Sequence, residues 1–272
     1  KAIDSLSTLI ERYPNNSVGY KKRGDAHQAL NRHNDAIADY QQAVILSPFD
    51  NENLVARGVG FAELEDYRSA LNDFTEAIGL NPELPDAYAS RGYLSVQSGD
   101  FLTAFPDIDR AIELSPLSHD AYFKRAKASI GLGRSSRALD DLERAIGLAP
   151  GNPDYRYSRG LIRYEMADYA LAIEDFDVAI ALRDRFESFD PRHANAYFYR
   201  ARAYANLGKH GNSMGDSSAA LAILQRIVNL PEWNEFRPTI VLRMIDSYNH
   251  LGDSLTQLGR RNKARIAYQN AV

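Results

Sequence analysis

Small and apolar residues recur along this chain on a fixed period of 34. The stretch Tyr88–Pro116, YASRGYLSVQSGDFLTAFPDIDRAIELSP, serves as the template. Its Arg91-Gly92, Ala104, Asp107, Ala111 and Pro116 fall one period earlier on Arg57-Gly58, Ala70, Asp73, Ala77 and Pro82. Two periods earlier they fall on Arg23-Gly24, Ala36, Asp39, Ala43 and Pro48. Moving forward, the columns hold Arg125-Ala126, Ala138, Asp141, Ala145 and Pro150, then Arg159-Gly160, Ala172, Asp175 and Ala179. A repeat of this length signals stacked supersecondary units rather than one globular core.

Within each period an apolar segment at helical spacing breaks at a polar or glycine turn and then resumes. The turns read Asn31-Arg32, Glu65-Asp66, Gly99-Asp100 and Gly133-Arg134. The second segment closes on Leu-x-Pro, as in Leu46-Ser47-Pro48 and Leu114-Ser115-Pro116, because proline cannot continue a helix. Each unit is therefore predicted to be an antiparallel helical hairpin. Gly24, Gly58, Gly92 and Gly160 sit mid-way along first helices, where glycine costs about 1 kcal/mol relative to alanine. Close approach of the second helix at Ala36, Ala70, Ala104 and Ala172 would offset that loss. Tyr40, Phe74 and Phe176 are expected to fill the space between units.

These columns resemble the tetratricopeptide repeat: Gly or Ala, then Ala, an aromatic, a second Ala and a terminal Pro, over almost the whole chain. The resemblance implies an all-α, right-handed solenoid of antiparallel helical hairpins whose first helices line a concave surface. It has departures. Arg156 occupies a column held elsewhere by Tyr20, Tyr88 and Tyr122, and Ser95, Ser129 and Arg163 stand where Phe61 and Tyr204 are bulky.

Taken in order, residues 1–16 read as a half repeat, with only a second helix. The chain begins at Lys1 rather than Met, and the protein is expected to extend further N-terminally. Residues 17–152 form four regular repeats. Residues 153–193 form a fifth whose second helix is lengthened through RDRFESFDP, since the closing proline is delayed to Pro191. Residues 194–244 form a sixth with a long insertion, LPEWNEFRP, which a proline near each end marks as a loop. Residues 245–272 form a truncated seventh. The whole is expected to be one continuous solenoid domain.

Arginine recurs in six first helices, at Arg23, Arg57, Arg91, Arg125, Arg159 and Arg200, and aspartate in the matching second helices, at Asp39, Asp73, Asp107, Asp141, Asp175 and Asp216. The seventh unit loses both together, to Leu251 and Ala267. Equal distance from the turn places each Arg beside its Asp, as a structural pair that fixes hairpin register. The other reading is a row of arginines gripping an acidic partner.

A second stripe runs along the first helices, rotated off the hairpin core: Val55, Val59, Ala62; Ala89, Tyr93, Val96; Phe123, Lys127, Ile130; Tyr157, Leu161, Tyr164; Phe198, Arg202, Ala205. Steps of four and three keep each trio on one helical face. The stripe either packs first helix on first helix or faces a partner. As a partner surface it would offer Tyr93, Phe123, Tyr157, Tyr164 and Phe198 as anchors, with Lys124, Lys127 and Arg202 favouring acid. Trp233 and Phe236 either cover a helix end or form a further contact.

Composition narrows the function classes. Lys plus Arg is 32 and Asp plus Glu 36, a net charge of −4, which leaves no electrostatic footprint for nucleic acid. No cysteine is present, so neither a disulfide framework nor a thiolate centre exists. Apolar runs such as Ala219–Leu224 are far too short for membrane insertion. The six histidines have no metal-ligand spacing, and no phosphate-cradling glycine loop is present. No cofactor, no metal and no catalysis are therefore expected. The sequence reads as a protein-binding scaffold holding a partner peptide or helix in its concave groove. The alternative is an assembly subunit, a homo-oligomer in which that groove is filled by its own chain or by a second copy.

Overall fold

The computed structural model describes residues 1–183, 191–233 and 236–271. Among these, every regular element is helical. The chain divides into two compact units, Lys1–Arg144 and Ala145–Val272. The first begins with α1 (Ala2–Arg12), followed by the hairpins α2 (Ser17–Gln28) with α3 (His33–Leu46), α4 (Asn51–Glu63) with α5 (Tyr67–Leu80), and α6 (Pro85–Gln97) with α7 (Phe101–Leu114). α8 (His119–Gly131) then turns into α9 (Ser135–Leu148), inside which the division falls. The second unit holds α10 (Pro153–Glu165) with α11 (Tyr169–Arg183), α12 (Pro191–Asn206) with α13 (His210–Ile227), and α14 (Arg237–Gln257) with α15 (Arg261–Asn270). The expected lengthening of the fifth repeat beyond Arg183 lies outside the described residues, as do Asn234 and Glu235 of the insertion.

Local chemistry sets the helix limits. Asn16, Asp50, Asp66, Asp100, Ser118 and Asn152 cap six helices by accepting a backbone N–H of the first turn, one of the donors left orphaned there. The hairpin turns share one conformation. Asn31, Glu65, Gly99, Gly133, Ala167, Gly208 and Gly259 all have φ between 55° and 80°. The residue after each donates to a carbonyl five positions back, as Asp66 N–H does to Phe61, in a Schellman closure.

Two details depart from the sequence reading. Pro238 lies in the first turn of α14 instead of ending a loop. Proline is accepted there because the N–H it lacks would have no helical partner. The connection between α13 and α14 spans residues 228–236, with a 3-10 turn at Pro231–Trp233. Three of the four first-helix glycines, in turn, make room for a ring rather than for an alanine, whereas a Cβ on Gly92 would meet Ile108 at 2.7 Å and the Ala104 carbonyl oxygen at 3.0 Å. A Cβ on Gly58 would lie 2.7 Å from the Phe74 ring, on Gly24 2.6 Å from Tyr40, and on Gly160 2.8 Å from Phe176. Each ring thus lies over the glycine of its own hairpin, and Phe74 extends to Leu94 of the next.

α7 also carries Pro106 in its interior. Being exposed, this proline gains little from packing, and it deletes the N–H that would bond the Leu102 carbonyl. The matching positions of neighbouring second helices are Asn72 and Asp140. Pro106→Ala is expected to stabilise the fold by about 1–3 kcal/mol. A melting temperature that stays put would show that the neighbouring hairpins already absorb the missing bond.

Candidate functional site: the first-helix face

The six arginines and six aspartates meet as bidentate pairs. Arg57 donates from Nε and Nη2 to the two Asp73 oxygens at 2.8 and 2.6 Å. Arg23–Asp39, Arg91–Asp107, Arg125–Asp141, Arg159–Asp175 and Arg200–Asp216 repeat the geometry, with every bond between 2.6 and 3.0 Å. Asp39, Asp73, Asp141, Asp175 and Asp216 are buried. The hydrogen bond to Asp73 raises the pKa of Arg57 above its ordinary value, so the guanidinium stays charged. A third bond runs from Nη1 to the second helix of the preceding hairpin. Arg23 reaches Ser7 Oγ at 3.1 Å, Arg57 reaches Gln41 at 2.7 Å, Arg125 reaches Asp109 at 2.8 Å and Arg200 reaches Asp177 at 2.6 Å. The column therefore joins hairpin to hairpin as well as helix to helix. Most of these guanidiniums are also covered by a ring: Tyr20 over Arg23, Phe61 over Arg57, Tyr88 over Arg91, Tyr122 over Arg125 and Tyr197 over Arg200.

The second stripe behaves differently in the two units. In the first, Val55 and Val59 are half-buried against Phe74 and Leu94. Val59, Ser90, Tyr93, Gln97 and Lys124 border a cleft of about 200 Å³. Lys127 Nζ donates to the Tyr93 hydroxyl at 2.9 Å and stands 5.0 Å from the Tyr93 ring centre and 4.8 Å from that of Phe123. Lys124 approaches the same Tyr93 ring at 5.6 Å, but it also pairs with Asp120 at 2.6 Å. Lys127 has no carboxylate partner among the described residues. Two ammonium groups on one half-exposed ring form a fixed positive edge beside an apolar cleft.

In the second unit the stripe is an aromatic cluster. Tyr157 packs on Phe176 at 6.0 Å and on Tyr199 at 6.4 Å, and Tyr164 meets Tyr199 at 5.9 Å. Burial pushes the Tyr157 phenol pKa up, so it stays neutral. Leu161 is half-buried. Phe198 is not the exposed anchor expected of it. It is 3% exposed, because Tyr199 abuts its edge at 5.4 Å and Arg243 of α14 covers its face at 4.5 Å. Arg202 is exposed, 5.4 Å from the Tyr164 ring and 5.7 Å from that of Phe198, and no carboxylate pairs with it among the described residues.

Tyr199 and Arg243 were missed by the sequence reading. Tyr199 adjoins Phe198 but lies off the trio spacing, and Arg243 sits in the extra turns of α14, where no column of the period points. A pocket of about 510 Å³ opens beside Arg202, His210, His250 and Asp253. His250 is engaged with Ser213 at 3.1 Å, and Ser213 with Ser254 at 2.8 Å. Burial lowers the His250 pKa. Trp233 packs on the cluster of Ala194, Leu224, Ile227 and Ile240, while Phe236 stays exposed at its edge. Among the described residues no group of three His, Asp or Glu is placed to hold a metal, and no helix is long and apolar enough to cross a membrane.

The tetratricopeptide repeat profile matches residues 55–119, 91–153, 123–182 and 157–228, and a second profile of the same description matches 20–50 and 245–272. This chain belongs to the tetratricopeptide repeat family. Its fold is accordingly an all-α solenoid of helical hairpins, and repeats of this kind make it a scaffold for protein–protein interaction. No curated protein matches the sequence significantly. Among solved structures, the Cut9–Hcn1 hetero-tetramer of the APC/C aligns over 99% of this chain at 17% identity and a TM-score of 0.69. Human IFIT1, as a dimer with PPP-AAAA, aligns over 99% at 14% identity and a TM-score of 0.69. PilF of Pseudomonas aeruginosa aligns over 88% at 13% identity and a TM-score of 0.64. The chain spans 52% of the Cut9–Hcn1 chain it matches, 67% of IFIT1 and 100% of PilF. These similarities define the fold alone.

Proposed function

We propose that the first-helix face of unit Lys1–Arg144 binds an acidic peptide or helix of a partner protein, inserting an apolar side chain into the cleft beside Tyr93. The observation that carries this reading is the contrast between two sets of cations. The column arginines are neutralised by their paired aspartates, whereas Lys127 is held by rings and has no carboxylate. A cation fixed on an aromatic face keeps its charge available while losing little freedom on binding. Val55, Val59 and Phe123 supply the apolar surround, and Tyr157, Leu161, Tyr164 and Arg202 offer a second, independent face in the other unit. Phe198 contributes by holding Arg202 in place.

The test compares wild type with Tyr93→Ala and Lys127→Met against a partner captured by the intact protein and then purified. Each substitution is expected to weaken binding, Tyr93→Ala by about 2 kcal/mol or more, while shifting the thermal transition little. Lys127→Met should also flatten the salt dependence of the affinity. Unchanged affinity in both variants would remove this face as the site. A molar mass that doubles with concentration, and that Tyr93→Ala returns to the monomer value, would instead assign the face to a second copy.

A further inference from the structure

α10 differs from its sister helices on both sides of its paired arginine. Three positions before that arginine, α2, α6, α8 and α12 carry Tyr20, Tyr88, Tyr122 and Tyr197, whose rings lie 5.3 to 5.8 Å from the guanidinium carbon. In α10 the position is Arg156. Four positions after it stand His27, Phe61, Ser95, Ser129 and Tyr204 in the other hairpins, and here Arg163. Two positive charges have entered an environment that elsewhere holds one ion pair.

All three guanidiniums converge on a single carboxylate. Arg159 keeps its bidentate bond to Asp175, Arg163 Nη1 adds a bond at 2.8 Å, and Arg156 Nη1 approaches to 3.8 Å. Asp175 is 1% exposed and serves Arg159 first. The nearby acids are engaged elsewhere or turned outward: Asp154 pairs with Arg183 and Arg192, Asp177 pairs with Arg200, and Glu174 is exposed. Arg156 Nε is buried and makes no hydrogen bond. A buried donor left unpaired on a charged group is unfavourable, and so is crowding of like charge away from water. An anion added at the exposed edges relieves the crowding.

We infer that Arg156 and Arg163, flanking the structural Arg159–Asp175 pair, form a binding site for a phosphate monoester. A monoester carries a charge near −2 at neutral pH and offers three acceptor oxygens, which matches two added cations better than a singly charged carboxylate does. Guanidinium forks suit those oxygens. Both side chains remain about a quarter exposed, at 25% and 22%, so an edge of each is open to a ligand. One phosphate can span them, since both end within 4 Å of the same carboxylate. The phosphate could be free or carried on a phosphorylated side chain of a protein partner. This site is separate from the Tyr93 face and stands or falls without it.

The experiment uses the intact chain and two variants that restore the residues of the sister repeats, Arg156→Tyr and Arg163→Ser. Calorimetric titration and thermal melts are run with inorganic phosphate, N-acetyl-phosphoserine amide and N-acetyl-glutamate amide at matched ionic strength. Both phosphates are expected to raise the wild-type melting temperature with the logarithm of concentration. Each variant should bind them roughly ten- to a hundredfold more weakly, the loss of one charge-assisted contact. Without anion, Arg156→Tyr should melt at least as high as wild type, because a repelling charge leaves and a ring again covers Arg159. Tighter binding of the phosphoserine amide would assign the ligand to a modified partner, and tighter binding of inorganic phosphate to the free ion. The inference is overturned by equal phosphate-induced shifts in wild type and Arg156→Tyr. An equal response to the glutamate amide, or a lower anion-free melting temperature for Arg156→Tyr, would overturn it too.

Discussion

Arg57→Leu is expected to lower stability by roughly 3 kcal/mol, the lower end of what breaking a buried ion pair costs. The loss arises mainly from what remains. Asp73 is 4% exposed, and both its oxygens accept from Arg57. Removing the guanidinium leaves a carboxylate without water and without a donor. The same substitution frees Gln41 of the preceding hairpin, so the hairpin-to-hairpin contact weakens as well. Arg57→Leu combined with Asp73→Ala should recover most of the difference, because the last hairpin carries Leu251 and Ala267 at these positions and still closes. Denaturant titrations of wild type, both single variants and the double variant form a complete cycle. Strictly additive losses would mean that the two side chains contribute independently, and would leave the pairing without energetic weight. In an array whose stability is a sum of repeat and interface terms, the effect should also appear as earlier opening of the hairpins flanking α4.

The period made the hairpins legible, since a helix turn every 34 residues leaves glycine, alanine and proline in fixed columns. The Arg–Asp contacts could be written down for a related reason: both columns lapse together in the last unit. What the columns did not carry is the identity of the facing group. Gly58 and Ala70 share a level in the sequence pattern, yet it is the Phe74 ring that occupies the space above the glycine. A periodicity states which face a residue is on, and packing distance then depends on side-chain length. The third bond of each arginine was equally hidden. Its acceptors are Ser7, Gln41, Asp109 and Asp177, which share one column of the period but not one residue type, so no repeated residue marks it. Burial along the second stripe was the least legible of all. Phe123 and Phe198 hold the same place in their trios, but only Phe198 is buried, and it is covered by an arginine from a helix that breaks the repeat length.

That cover makes Phe198→Ala the most informative truncation in the second unit. A fully buried phenylalanine replaced by alanine loses its transfer energy and leaves a cavity, together roughly 3–5 kcal/mol. The cavity here would be bounded by Tyr199 and His250, and the site can collapse little because both are held from other directions. Tyr199 is fixed by Tyr157, Tyr164 and Phe176, and His250 by Ser213. Arg243 and Arg202 would also lose the face on which they rest. Trp233 is the only tryptophan and lies in the same unit, so its fluorescence during urea unfolding reads this loss locally. The fluorescence midpoint should move to markedly lower urea in Phe198→Ala. Tyr93→Ala, half-exposed and in the other unit, should leave that midpoint nearly unchanged. A Phe198→Ala midpoint close to wild type would mean that Arg243 does not seal the ring in solution, and would restore Phe198 to the surface a partner could use.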